Sequence, residues 1–168
     1  MKLTSFQNIV TSLNTARVKY IVVGGMAVVA YGYGRMTYDL DLVIALDREN
    51  ILKTFSALSN MGYKPRVPVT PEQFSNRDIR EGWIRDKGMQ VLNLYSDEHR
   101  TTPIDIFVYE PFDFEKAYKD ALQEEILPGQ TVRFIDIYTL IRLKEKSGRA
   151  KDIDDVLHLK ELIYDEPE

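Results

Sequence analysis

The chain has 168 residues, 44% of them hydrophobic and 29% charged, with a net charge of -4, which suits one soluble globular domain with a full core. It contains no cysteine, and its two histidines, His99 and His158, lie far apart in sequence, which excludes disulfides and thiolate metal sites and argues against zinc. No apolar run approaches the roughly 18 residues of a membrane span, and the acidic balance does not favour stable DNA binding.

The N-terminal stretch lacks the apolar core of a secretory signal and predicts a helix instead, because Leu3, Phe6, Ile9, Val10 and Leu13 recur at helical spacing. A cytoplasmic location and no membrane partner are expected. Tyr20 to Val23 predicts a short strand broken by Gly24-Gly25, and Met26 to Tyr31 a short buried helix ended by Gly32-Tyr33-Gly34. Leu40 to Ala45 predicts a second strand. Asp47 would then cap a helix through Met61, with Gly62 just beyond it. Lys64 to Val69 carries Pro65 and Pro68, which reduce it to an edge strand or a loop.

Farther along, Pro71 to Asn76 predicts one helical turn and Gly82-Trp83-Ile84 a short strand. Val91 to Tyr95 and Ile104 to Tyr109 predict strands separated by a polar turn. Phe112 to Lys119 predicts a helix, and Glu125 to Leu127 with Thr131 to Phe134 a hairpin around Pro128-Gly129. Ile137 to Lys146 and Ile153 to Tyr164 predict two closing helices. The expected architecture is α/β (α+β): a mixed sheet with helices packed on it, in one domain spanning 1-168. Its core would cover about 18-135 and its C-terminal helical part about 136-165.

The chemistry is concentrated in Gly24 to Ile44. Side chains alternate along a strand, so Asp39 and Asp41 share one face while Leu40 and Leu42 share the other. Two carboxylates that close repel each other, and one takes up a proton unless a cation stands between them. Asp105 is flanked by apolar residues in the same manner. If its strand pairs beside the first, the three acids can hold two divalent ions about 3.5 to 4 Å apart, as in-line phosphoryl displacement requires. Oxygen ligands of this kind suit magnesium or manganese. Gly24-Gly25, between strand and helix, would let backbone N-H groups approach a polyphosphate. The pattern is neither a Walker motif nor a dinucleotide fingerprint.

Gly24-Gly25, Asp39-Leu40-Asp41, the later Asp105 and the run Arg35-Met36-Thr37 resemble the nucleotidyltransferase superfamily of the DNA polymerase beta type. The tail, from Leu140 to Lys144 and from Gly148 to Asp155, is similar to that of its small bacterial members, including toxins of abortive-infection and toxin-antitoxin systems. The resemblance runs from about Val22 to Leu159 and leaves residues 63 to 102 unmatched. It implies the nucleotidyltransferase fold and transfer of a nucleoside monophosphate from a triphosphate to an acceptor, with release of pyrophosphate.

By the same resemblance, Asp39, Asp41 and Asp105 would be the catalytic and metal-binding acids, and Asp105 would also help deprotonate the acceptor. Gly24, Gly25, Arg35, Thr37 and Lys144 would meet the nucleotide and its phosphates. The acceptor would be a small molecule, RNA or protein, and an antitoxin is one implied partner. A catalytically inactive module of the same fold, binding nucleotide or a protein, is the competing expectation.

Duller explanations exist for the individual residues. Taken in isolation, Asp39 would cap a turn and Asp41 occupy an exposed edge, a reading that the glycines and Asp105 weaken. Arg35 would pair with an acidic neighbour, and Lys144 stands out only through the family pattern. Asp152, with Asp155 after it, predicts a helix N-cap with acidic support. Tyr31, Tyr33, Tyr38 and Trp83 are expected to pack rather than to stack on a base. His99 and His158 are expected to be surface residues.

Overall fold

The computed structural model describes residues 1–164. Helix α1 (Leu3–Thr15) buries Phe6, Ile9, Val10 and Leu13, the face its periodicity predicts. Strand β1 (Tyr20–Val23) is buried along its whole length and passes directly into α2 (Gly24–Ala30). That helix was expected to begin at Met26. It begins two residues earlier because Gly24, at φ +66°, turns the chain without the Cβ that would obstruct this backbone conformation.

Strand β2 (Leu40–Ile44) follows, then α3 (Arg48–Asn60), whose N-cap Asp47 accepts from the Asn50 N–H. The proline-bearing segment leaves only the two-residue β3 (Lys64–Pro65), and α4 (Pro71–Ser75) opens with a capping box at Thr70. The strand expected at Gly82-Trp83-Ile84 is instead the interior of α5 (Arg77–Lys87). Asn76 caps its start by accepting from the Ile79 N–H, and Gly88 closes it at φ 61°. Trp83 packs against Phe74, with ring centroids 6.3 Å apart. Ile79 and Trp83 are spaced as neighbours on a helix, and two good caps outweigh a short apolar triplet.

The remaining elements are β4 (Val91–Tyr95), β5 (Ile104–Phe107), α6 (Phe114–Asp120), β6 (Leu122–Leu127), β7 (Gln130–Phe134), α7 (Ile137–Ser147) and α8 (Ala150–Tyr164). One sheet carries all seven strands in the order β3-β4-β5-β2-β1-β7-β6. β1 runs antiparallel to β2, while β2–β5 and β1–β7 are parallel. The outer pairs β3–β4, β4–β5 and β6–β7 are antiparallel. The sheet is therefore mixed, with its most deeply buried strands, β1 and β2, at the centre.

Leu40, Leu42 and Ile44 of β2 join Ile9, Leu13, Ile21 and Leu58 in one core, which Leu140, Val156 and Leu159 of the last two helices enter as well. Asp41 is the single residue of β2 that is not fully buried. The chain thus opens its central strand to a surface cleft at one carboxylate. None of the described helices is long and apolar enough to cross a membrane.

Candidate active site

The parallel pairing of β2 and β5 sets Asp41 directly beside Asp105, in register, and the antiparallel pairing of β1 sets Val23 opposite Asp41. The chain following Val23 is the Gly24-Gly25 corner. The Asp41 carboxylate lies so close against it that a Cβ on Gly24 would stand 2.0 Å from Asp41 Oδ2. A Cβ on Gly25 would meet Thr37 Oγ1 at 2.6 Å and Arg35 Nη2 at 2.7 Å. Gly24 is closed to a side chain both by this approach and by its backbone conformation, whereas a side chain at Gly25 would have to displace the ends of Thr37 and Arg35.

A cleft of about 420 Å³ opens here, and its lining includes Gly24, Asp41, Asp105, Phe107, Lys144 and Arg149. Burial, followed by the charges of Asp105 and Asp39, pushes the Asp41 carboxyl up to about 6, against the opposing pull of Lys144 and the Gly25 amide. Asp105 is also raised, first by burial and then by Asp39, while a hydrogen bond from Asn93 and the charge of Arg66 oppose the rise. Buried like charges produce this pattern when no cation neutralises them. Among the described residues, no three carboxylate or imidazole groups are gathered tightly enough to hold an ion unaided. The arrangement is a strand-paired couple, Asp41 and Asp105, with Asp39 acting on both from the residue before β2.

These acids suit a divalent cation as part of a ligand set that other oxygen donors complete. Their donors are all oxygen, as a hard ion requires, and Asp41 and Asp105 stand side by side on adjacent strands.

The positive side chains are less free than their residue types imply. Lys144 on α7 is buried, with its Nζ 3.0 Å from Asp152 Oδ1 and 2.7 Å from Asp155 Oδ2. Arg149 Nε donates to Asp152 Oδ2 at 2.7 Å. Arg35 Nε approaches Asp155 Oδ1 to 2.9 Å. Neither Arg35 Nε nor the Asp155 oxygens reach hydrogen-bonding geometry, so Asp155 is held by ionic approach alone.

The N-cap expected at Asp152 is therefore corrected. Asp152 lies inside the first turn of α8 with its carboxylate fully buried, and Asp155 is buried one turn later. Burial pushes Asp152 up, but hydrogen bonds from Arg149, Lys144 and Ser147 more than reverse this and hold it well below the ordinary carboxylate range. The cause is tertiary: a buried lysine on one helix needs carboxylates from its neighbour.

Gly24, Asp41, Asp105 and Lys144 thus meet in one cleft, while Gly25, Arg35 and Thr37 pack together beside it. Thr37 Oγ1 donates to the Asp39 carbonyl at 3.3 Å and so braces the approach to β2. The aromatic residues pack as expected, with the exception of the exposed Tyr38. Tyr31 donates to the Ile135 carbonyl, and Tyr33 donates to Asp154.

His158 is a surface residue as expected, with its side chain 38% exposed, while His99 is partly buried, and each also stacks on a tyrosine. His158 stacks on Tyr33 at 3.8 Å and His99 on Tyr63 at 5.6 Å. Sequence reasoning also missed Asn93 and Arg66 beside Asp105, and Asp155 and Arg149 around Lys144. One available signal was the alternation in Val91-Leu-Asn-Leu-Tyr, which turns Asn93 away from the buried Leu92 and Leu94.

No protein-family model matches the sequence, and no curated protein sequence matches it. Solved structures do match its fold. ANT(2'')-Ia in complex with adenylyl-2''-tobramycin is 12% identical at a TM-score of 0.59, over 94% of this chain and 86% of that one. The lincosamide antibiotic adenylyltransferase LnuA, lincomycin-bound, is 17% identical at 0.53, over 89% and 90%. An antigenic nucleotidyltransferase-like protein from Paracoccidioides brasiliensis is 17% identical at 0.52, over 94% and 74%. The mixed sheet, with Asp41 and Asp105 paired beside a glycine corner, is thus carried on the nucleotidyltransferase fold.

Proposed function

We propose that the protein is an enzyme that transfers a nucleoside monophosphate from a nucleoside triphosphate to an acceptor. The observation that carries this reading is the in-register pair Asp41 and Asp105 on adjacent parallel strands, with Gly24 packed so closely against Asp41 that a side chain there is excluded. An acceptor hydroxyl attacks the α-phosphorus, the bond to the bridging oxygen breaks, and pyrophosphate leaves. Asp105 takes the acceptor proton.

Magnesium or manganese, which Asp41 and Asp105 would hold with Asp39 and the triphosphate's own oxygens, would supply charge stabilisation at the reacting phosphate. The backbone of Gly24 and Gly25 receives the triphosphate, with Lys144 and Arg149 contributing positive charge from the cleft wall. Arg35 and Thr37 act more indirectly by fixing the corner at Gly25. Catalysis rests on positioning and on charges fixed before the reaction begins.

The neighbouring structures carry adenylyl-2''-tobramycin and lincomycin. By that likeness we take the acceptor to be a small molecule. A toxin-antitoxin setting, which rests on the tail motif alone, would instead direct the label to RNA or protein. The test is incubation with labelled triphosphates, magnesium and a cell extract, followed by identification of the labelled product. Label should require the metal and vanish in the double variant Asp39→Asn with Asp41→Asn while circular dichroism stays unchanged. Transfer that survives in that variant would overturn the assignment.

A further inference from the structure

Strand β5 lies between β2 and β4, so Asp105 has Asp41 on one side and Asn93 on the other, each in register with it. Asn93 Nδ2 donates to Asp105 Oδ1 at 2.6 Å. The other end of the same amide, Asn93 Oδ1, accepts from Arg66 Nε. Arg66 is placed for this by its own backbone, whose N–H donates to the Asn93 carbonyl at 3.0 Å, and by the Tyr95 ring, over which its guanidinium lies at 5.2 Å.

A primary amide is nearly symmetric in shape, with a donor at one end and an acceptor at the other. An otherwise unheld asparagine donates to an ionised carboxylate but can turn to accept from a protonated one. Here both ends are specified. A guanidinium has donors only, so it accepts no neighbour but the amide oxygen, and that choice sends the NH₂ to Asp105. Sheet stability does not account for the residue, because asparagine is among the poorer strand formers and this position, opposite an aspartate, would suit a β-branched residue better.

We propose that Asn93, oriented by Arg66, is a positioning residue for Asp105. It occupies one carboxylate oxygen, fixes the plane of the group, and leaves the second oxygen for the ion and the acceptor proton. This inference rests on the function proposed above and adds two residues to it from the stretch that the family resemblance leaves unmatched. Arg66 acts at one remove, through the amide, and touches neither substrate nor ion.

The test has one arm that needs no turnover. In NMR spectra of the full chain, the Asn93 side-chain amide resonance should shift in Arg66→Met and again in Asp105→Asn, while the backbone pattern elsewhere stays unchanged. An Asn93 resonance unmoved by Arg66→Met overturns the proposal.

The second arm measures transfer. Asn93→Leu should lower kcat about 10- to 100-fold, as loss of a group that orients a ligand does, with KM for the triphosphate little changed because the glycine corner is intact. Asn93→Leu and Arg66→Met combined should cost no more than Asn93→Leu alone, since both act through one amide. Wild-type transfer by Asn93→Leu would sink this inference and leave the proposed function standing. A protein that labels nothing would sink the proposed function, and the amide resonance would still decide the arrangement around Asp105.

Discussion

Asp41 carries the largest electrostatic cost at the site, and its sign fixes a pH dependence. Its carboxyl is raised to about 6 from an ordinary 3.8, so between those values the folded protein holds a proton that the unfolded chain releases. Stability from this group is therefore greatest below about pH 4, falls as pH rises to about 6, and is then flat, a loss of about 3 kcal/mol in all. Metal-free protein followed by denaturant unfolding should show that decline, and Asp41→Asn should reduce it to the part that the raised Asp105 contributes. Adding magnesium to the wild type above pH 6 should recover part of the loss, and should do nothing for the variant. At the corner itself, Gly24→Ala combines a backbone at φ +66° with a Cβ 2.0 Å from Asp41 Oδ2. It should destabilise by more than the roughly 1–2 kcal/mol of the backbone conformation alone. Gly25→Ala meets only the ends of Thr37 and Arg35, which can move, so its melting temperature should fall less.

At the scale of elements, α7 and α8 are joined by charge as well as by apolar packing. Lys144 lies between Asp152 and Asp155, and Arg35 extends this cluster to the loop before β2. Removing one member of a buried cluster leaves the others uncompensated, so Lys144→Met should cost about 3–5 kcal/mol. The Arg149 side chain is 61% exposed, and Arg149→Ala should cost about 1 kcal/mol or less. Chemical denaturation of the two variants measures the contrast, and equal losses would refute a buried role for Lys144. Helix α5 teaches the complementary lesson. Its ends are specified locally by Asn76 and Gly88, and attention to those caps would have replaced the strand expected at Gly82-Trp83-Ile84. The apolar triplet alone carries too few residues to separate the two periods.

For the whole molecule, the core is continuous from α1 through the sheet to Leu140, Val156 and Leu159 of the last helices. The C-terminal part thus shares its core with the sheet. Thermal unfolding followed by tryptophan fluorescence and by far-UV circular dichroism should give coincident single transitions. A chain shortened to end before Ile137 should lose that cooperative transition, because it exposes the core under α7 and removes Lys144 from the cleft. With magnesium and a triphosphate at about 100 times its dissociation constant, the intact protein should gain about 2.7 kcal/mol. Either component alone should give much less, if the acids and the ion complete the site together.

Most local elements and the chemical types at the site were legible from neighbouring residues. Helical spacing marked α1 and α3, alternation marked β2, β4 and β5, and glycine with paired aspartates marked the place where charge would need compensation. These are properties of neighbours in the chain, where side-chain period and backbone preference act directly. That β5 lies against β2 and brings Asp105 beside Asp41 follows from tertiary packing. The same packing turns Asp152 and Asp155 inward to Lys144, and sets Asn93 and Arg66 behind Asp105. Strand order and the choice of partner for a buried charge depend on residues far apart in sequence, and no local pattern encodes which of several carboxylates will meet a given lysine.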